Sequence, residues 1–154
     1  MPDRVEGTIV FEDAQIIFRN FQGKEGPYNR EGDRNFSVRL EDDELVRRLE
    51  KDGWNVKHPK PRDDDEEDNR RPHLQVSVSY RGRPPRIVMI TSRNRTELTE
   101  DDIDMLDWVQ FRTVDLIVNP YNWNVNGKGG VKAYLKTMFV TIEEDYLEQK
   151  YADL

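Results

Sequence analysis

Alternation of apolar and polar residues with a period of two recurs along this chain, and it commits most of the fold to β-strands. Residues 73–80 set Leu74, Val76, Val78 and Tyr80 against Gln75, Ser77 and Ser79. Residues 34–40 set Arg34, Phe36, Val38 and Leu40 against Asn35, Ser37 and Arg39. In the stretch 131–142, Lys132, Tyr134 and Lys136 share one face, while Val131, Ala133, Leu135 and Phe139 share the other. Further strands are expected at 6–11 and 14–21, or as one long strand kinked near Asp13. Others are expected at 54–57, at 113–118 and at 86–91, the last buried on both faces.

Two segments break the pattern with helical signals. In 42–52, Leu45, Val46 and Leu49 form one apolar stripe, acids precede basic residues, and Gly53 supplies a stop. At 98–103, Thr99 reads as an N-cap with Asp102 as its capping-box partner and Leu98 stapled to Ile103; this short helix should end near Asp107 or Trp108. The stretches 21–29 and 119–130 are rich in Gly and Asn and read as loops. Roughly seven strands with two or three short helices predict a mainly β fold, an antiparallel barrel whose closure removes vulnerable edges.

Only 35% of residues are hydrophobic and 36% are charged, so a core depends on concentrating apolar residues in these runs. One domain, 1–142, is expected, interrupted at 59–72 by a Pro-rich acidic insertion without apolar residues that reads as disordered. An acidic tail, 143–154, follows; it reads equally as a short helix packed through Tyr146, Leu147 and Tyr151 or as a mimic of nucleic-acid charge. The net charge is −7, but Asp63–Asp68 carries six negative charges and the tail a net four. Setting aside those ten leaves +3 on the remaining body. Local potential, rather than net charge, steers a phosphate backbone.

With no cysteine, disulfides and thiolate metal sites are excluded, which fits a cytoplasmic protein. No run is long enough to span a membrane, and Met1-Pro2-Asp3-Arg4 has no signal-peptide character. Enzymatic chemistry finds little footing. His58 and His73 flank the acidic insertion without paired-ligand spacing. Glu100, Asp101, Asp102 and Asp104 read more simply as compensation of a helix dipole than as magnesium ligands. Gly127-Lys128-Gly129-Gly130 lacks the spacing of a phosphate-binding loop. No catalytic residue, metal or cofactor is expected.

Basic residues interleaved with aromatics carry the functional signal. Arg19, Phe21, Lys24, Tyr28, Arg30 and Arg34 cluster around the first loop. Tyr121, Trp123 and Lys128 cluster around the second, next to Lys132, Tyr134 and Lys136 on the long strand. Aromatics in polar loops have little core to fill. Flanked by cations they suit stacking of bases with neutralisation of phosphates. Trp54 and Trp108 sit beside helix ends and read as packing residues.

These segments also resemble a known family. The likeness lies in Arg19-Asn20-Phe21-Gln22-Gly23-Lys24 with Tyr28-Asn29, in Arg34-Asn35-Phe36, and in Asp52-Gly53-Trp54-Asn55-Val56-Lys57. It continues through Ile90-Thr91-Ser92, Leu106-Asp107-Trp108, Asn119-Pro120-Tyr121 with Trp123, and Val125-Asn126-Gly127-Lys128. It is densest from Val131-Lys132-Ala133-Tyr134-Leu135-Lys136 to Val140-Thr141-Ile142-Glu143. The pattern resembles the single-stranded DNA-binding proteins of tailed bacteriophages, built on an oligonucleotide-binding (OB) barrel. That resemblance implies sequence-independent binding of single-stranded DNA in replication and recombination. It also implies contact with replication or recombination proteins through the acidic tail, in the host cytoplasm, with a homodimer among the states open to the chain. The tail departs from the pattern: it keeps Lys150 and lacks a long acidic run or a terminal Phe. The competing reading is a phage interaction module that binds or inhibits a host factor through its acidic surfaces.

Overall fold

A computed structural model of the protein describes residues 6–60 and 70–144. Most of the acidic insertion and nearly all of the acidic tail lie outside the described residues. The elements in chain order are β1 (Ile9–Phe11), β2 (Ile16–Asn20), β3 (Arg34–Arg39), α1 (Asp43–Asp52), β4 (Val56–Lys57), β5 (His73–Val78), β6 (Arg86–Ile90) and β7 (Arg95–Leu98). A 3-10 turn, Ile103–Asp107, then leads into β8 (Phe111–Val125) and β9 (Lys128–Ile142).

The nine strands among the described residues join one sheet. Its main path runs β1-β8-β9-β5-β3-β2, with β4 on β5 and the β6–β7 hairpin on β9. The path has two ends, so the expected hydrogen-bonded closure into a barrel is absent among the described residues. The end strands are nevertheless neighbours in sequence. Asp13 adopts a left-handed φ of 49° and its N–H donates to Asp115 Oδ1 at 2.8 Å. The Ala14 N–H then continues the β8 ladder by donating to Val114 O, and Gln15 O accepts from Arg39 N–H to open the β3 ladder. One kinked segment thus serves both ends of the sheet, in an OB-like arrangement.

A second departure concerns strand direction. β5 and β6 both run parallel to β9, whereas an antiparallel barrel was expected. Parallel neighbours need long connections, and the chain between β6 and β9 supplies one through β7, the 3-10 turn and β8.

Helix α1 follows its sequence signals. The Asp42 side chain accepts from Glu44 N–H at 2.9 Å, and Gly53 ends the helix in the left-handed conformation at φ 91°. Val46 and Leu49 are buried from its apolar stripe. The second helix is only a 3-10 turn. Asp102, rather than the expected Thr99, stands at its N-cap position; its carboxylate accepts from the Thr99 N–H at 3.4 Å and from the Thr99 hydroxyl at 2.9 Å, and Leu98 and Ile103 are both buried. One apolar cluster unites these elements with the inward faces of the strands, including Phe21, Phe36, Leu74, Ile87, Met138 and Val140.

Two register details matter for the surface. The stretch 119–130, expected as a loop, is the end of a long β8–β9 hairpin paired down to Val125 and Lys128. Its two-residue turn, Asn126-Gly127, has φ of 53° and 81°, a geometry that suits the twist of an antiparallel pair. Further along, pairing steps from Leu135–Val118 to Thr137–Ile117, leaving Lys136 as a bulge. Beyond it Met138 and Val140 turn inward, so Phe139 lies on the outer face rather than with Val131, Ala133 and Leu135.

Candidate nucleic-acid interface

Outward residues of β3, β5 and β9 line an open cleft of about 970 Å³. Its β5 side is polar and short-chained, with Gln75, Ser77 and Ser79. Its rims carry the aromatics: Tyr28 on the first loop, Trp123 on the β8–β9 hairpin, Tyr134 on β9, and Tyr80 just past β5. Arg34, Arg81 and Lys132 supply cations against the carboxylates of Asp33 and Glu100. The cleft therefore offers ring faces and positive charge along one polar track.

The first loop is held by amide side chains. Asn29 Nδ2 reaches the carbonyl oxygens of Lys24, Arg30 and Asp33 at 2.9–3.0 Å, and Asn35 Nδ2 donates to Asn29 Oδ1 at 2.7 Å. Gly23 approaches Gly32 so closely that a Cβ there would stand 2.9 Å from the Gly32 carbonyl carbon. This scaffold presents Tyr28 with its ring wholly in solvent. On the opposite rim, Trp123 pairs with Gly130, and its indole occupies the space a side chain at 130 would need.

Arg34 is held in place by three contacts. Its Nε donates to Phe21 O at 2.9 Å, its Nη1 meets Glu100 Oε1 at 3.1 Å, and its guanidinium lies 5.8 Å from the Tyr80 ring centroid. Burial pushes the Tyr80 hydroxyl above its ordinary pKa, with Glu100 adding to the rise and Arg34 opposing it. Tyr80 therefore stays a neutral donor, and its hydroxyl has no hydrogen-bond partner among the described residues. Lys132 Nζ sits 5.1 Å from the Tyr134 ring centroid, and Tyr121 meets the same ring edge-on at 5.7 Å.

Of the residues expected from sequence, Tyr28, Arg34, Trp123, Lys132 and Tyr134 meet in the cleft. Tyr121 packs edge-on against Tyr134 without lining the cleft. Lys24, Arg30, Lys128 and Lys136 are exposed but do not line it. Two expectations need correction. Phe21 is fully buried and stacked on Phe36 at 5.2 Å, so it offers no face to a base. Arg19 points into the body, where Nη1 donates to Leu106 O and Val109 O and the guanidinium lies over Phe111 at 4.3 Å. Tyr80, Arg81 and the polar face of β5 were missed. The polar face of β5 was signalled by the polar half of the 73–80 alternation, whereas Tyr80 reads with the apolar half and Arg81 lies beyond it.

Among the described residues no group of three or more His, Asp or Glu is placed to hold a metal ion, and no helix is long and apolar enough to cross a membrane.

Comparison with known proteins bears on the fold and the family. No curated protein sequence matches the chain. Three solved structures of a single-stranded DNA-binding protein from bacteriophage Enc34 share the fold. The form in complex with ssDNA has a TM-score of 0.59 at 13% identity, covering 90% of this chain and 88% of that one. The C-terminal truncation gives 0.56 at 13% identity, covering 90% and 87%. A further structure of that protein gives 0.56 at 11% identity, covering 90% and 83%. Residues 3–154 match the family described as "Putative phage ssDNA-binding domain". On a match across nearly its whole length, the chain belongs to this phage ssDNA-binding family.

Proposed function

We propose that the protein binds single-stranded DNA in the β3–β5–β9 cleft without sequence preference, protecting single strands during phage DNA replication and recombination. The observation that carries this reading is the convergence of Tyr28, Trp123 and Tyr134 with Arg34 and Lys132 along one open polar track. Each base presents a π-face, so stacking of about 1–3 kcal/mol per base tolerates any sequence, while the cations neutralise phosphates. A cleft of this kind admits a single strand whose bases can splay onto the rings. A stacked duplex cannot offer them.

Lys24, Arg30, Lys128 and Lys136, exposed around the cleft, extend its positive field. The acidic tail 143–154 contacts replication or recombination proteins in the host cytoplasm, the role its charge and the family suggest. The protein works by binding and not by catalysis.

Trp123→Ala combined with Tyr134→Ala tests the site. Both side chains are at least partly exposed, so the melting temperature should change little. Anisotropy of a labelled dT oligonucleotide should report a large loss of affinity. Unchanged affinity in the folded double variant would remove the cleft from the account and return the interaction-module reading.

A further inference from the structure

The outer face of β9 does not stop being cationic where the cleft ends. Lys132 and Tyr134 line the cleft, Lys136 stands exposed at the bulge, and Phe139 follows on the same outer face. At this point β6 takes over from β5 along the β9 edge, with Arg86 beside Thr137 and Val88 beside Phe139. The guanidinium groups of Arg86 and Arg95 lie 5.6 and 5.8 Å from the Phe139 ring centroid. Phe139 thus holds two arginines on the surface by cation–π contact, in an order that alternates ring and cation from Lys132 to Arg95.

We infer that this stripe is a second contact segment for the same DNA strand, by which a strand leaving the cleft continues over the Lys136 bulge onto the β6–β7 hairpin. The inference rests on the cleft reading for the first segment and adds the second. Tyr134 and Phe139 are separated by roughly 15 Å along the strand, so the stripe lengthens the track instead of widening the cleft. The bulge is what makes the track continuous: under unbroken alternation from Leu135, Phe139 would point into the core, and the arginines would have no ring to rest on. Among the described residues, the carboxylates of Glu97 and Asp115 lie nearby. Glu97 Oε1 is 3.9 Å from Arg86 Nε across an exposed pair, a contact that salt and phosphate readily displace. Asp115, beside Phe139 on β8, has Oδ1 occupied by the Asp13 N–H. Phe139 is a positioning residue here, acting through the arginines.

The test compares two dT oligonucleotides on the full chain. One is about 8 nucleotides, within the ~4–16 that one OB-fold covers, and one is about 30. Arg86→Gln with Arg95→Gln should leave the short oligonucleotide unaffected and weaken the long one several-fold. The salt slope for the long one should fall by about 1.4, from about 0.7 for each lost phosphate contact on a single strand. Phe139→Leu keeps apolar cover but removes the ring, and should reproduce part of that loss; it reads the same segment if the double variant fails to fold. Equal losses at both lengths, or no change in long-oligonucleotide affinity and slope, would overturn the second segment. Loss of short-oligonucleotide binding in the cleft variant reports on the cleft reading separately.

Discussion

Trp123 lies against Gly130 across the β8–β9 hairpin, so closely that a Cβ at 130 would stand 3.0–3.1 Å from the indole atoms Cζ2, Cε2 and Nε1. The missing side chain at 130 is therefore what lets the indole settle on the cleft rim. A ring held by the backbone opposite loses little freedom on stacking with a base.

Gly130→Val should push the indole off this seat. The expected result is a shifted tryptophan emission and weaker oligonucleotide binding, by about fivefold or more if one stacking contact of about 1 kcal/mol is lost. Emission spectra together with anisotropy titration check both halves.

The Asn126-Gly127 turn fixes where this rim stands. Gly127 has φ of 81°, and a side chain there costs about 1–2 kcal/mol. Gly127→Ala should lower stability by roughly that amount in denaturant unfolding. Amide exchange should rise first in the hairpin end, near Trp123 and Lys128.

Asp107 ties the far side of the first loop to the 3-10 turn. Its carboxylate accepts the Phe21 N–H at 2.7 Å and the Gln22 N–H at 3.0 Å. Asp107→Ala leaves both donors without an acceptor and should destabilise by about 1–3 kcal/mol. Asp107→Asn, which keeps one acceptor oxygen, should recover part of this in the same unfolding measurement.

His73 carries a pH signature. Burial first, then Lys57 and His58, hold its pKa below the ordinary 6.5. The folded protein thus favours neutral imidazole, and as pH falls below about 6.5 the unfolded chain takes up the proton first. Stability from this group is complete above that pH and declines as pH falls toward the folded pKa. His73→Gln should flatten that part of the stability profile, measured by unfolding between about pH 5 and pH 8.

What the sequence made legible follows the range of the interactions involved. Helix α1 was readable because its stripe and stop are local: Leu45, Val46, Leu49 and Gly53; its cap, Asp42, was read as the first helical residue. The polar and apolar faces of β5 were readable for the same reason. The hairpin turn was also local, since Asn-Gly is a strong hairpin signal. It was obscured by the aromatic, Asn-rich strand ends around it, which look like a loop until paired with each other. Phe21 and Arg19 could not be placed from their neighbours. Phe21 is buried by Phe36, and the carbonyls that capture Arg19 lie 87 and 90 residues away. The inversion at Phe139 depends on one bulge, which leaves no mark in an alternation pattern.

The central claim is that the cleft takes single-stranded DNA by stacking and charge. A titration of intrinsic tryptophan fluorescence with a dT oligonucleotide, at low and high salt and with duplex of equal length as control, tests it most directly. The account predicts quenching by the single strand that weakens steeply with salt, and a much smaller response to duplex. A folded protein that gives no response at low salt, or responds equally to duplex, would contradict it.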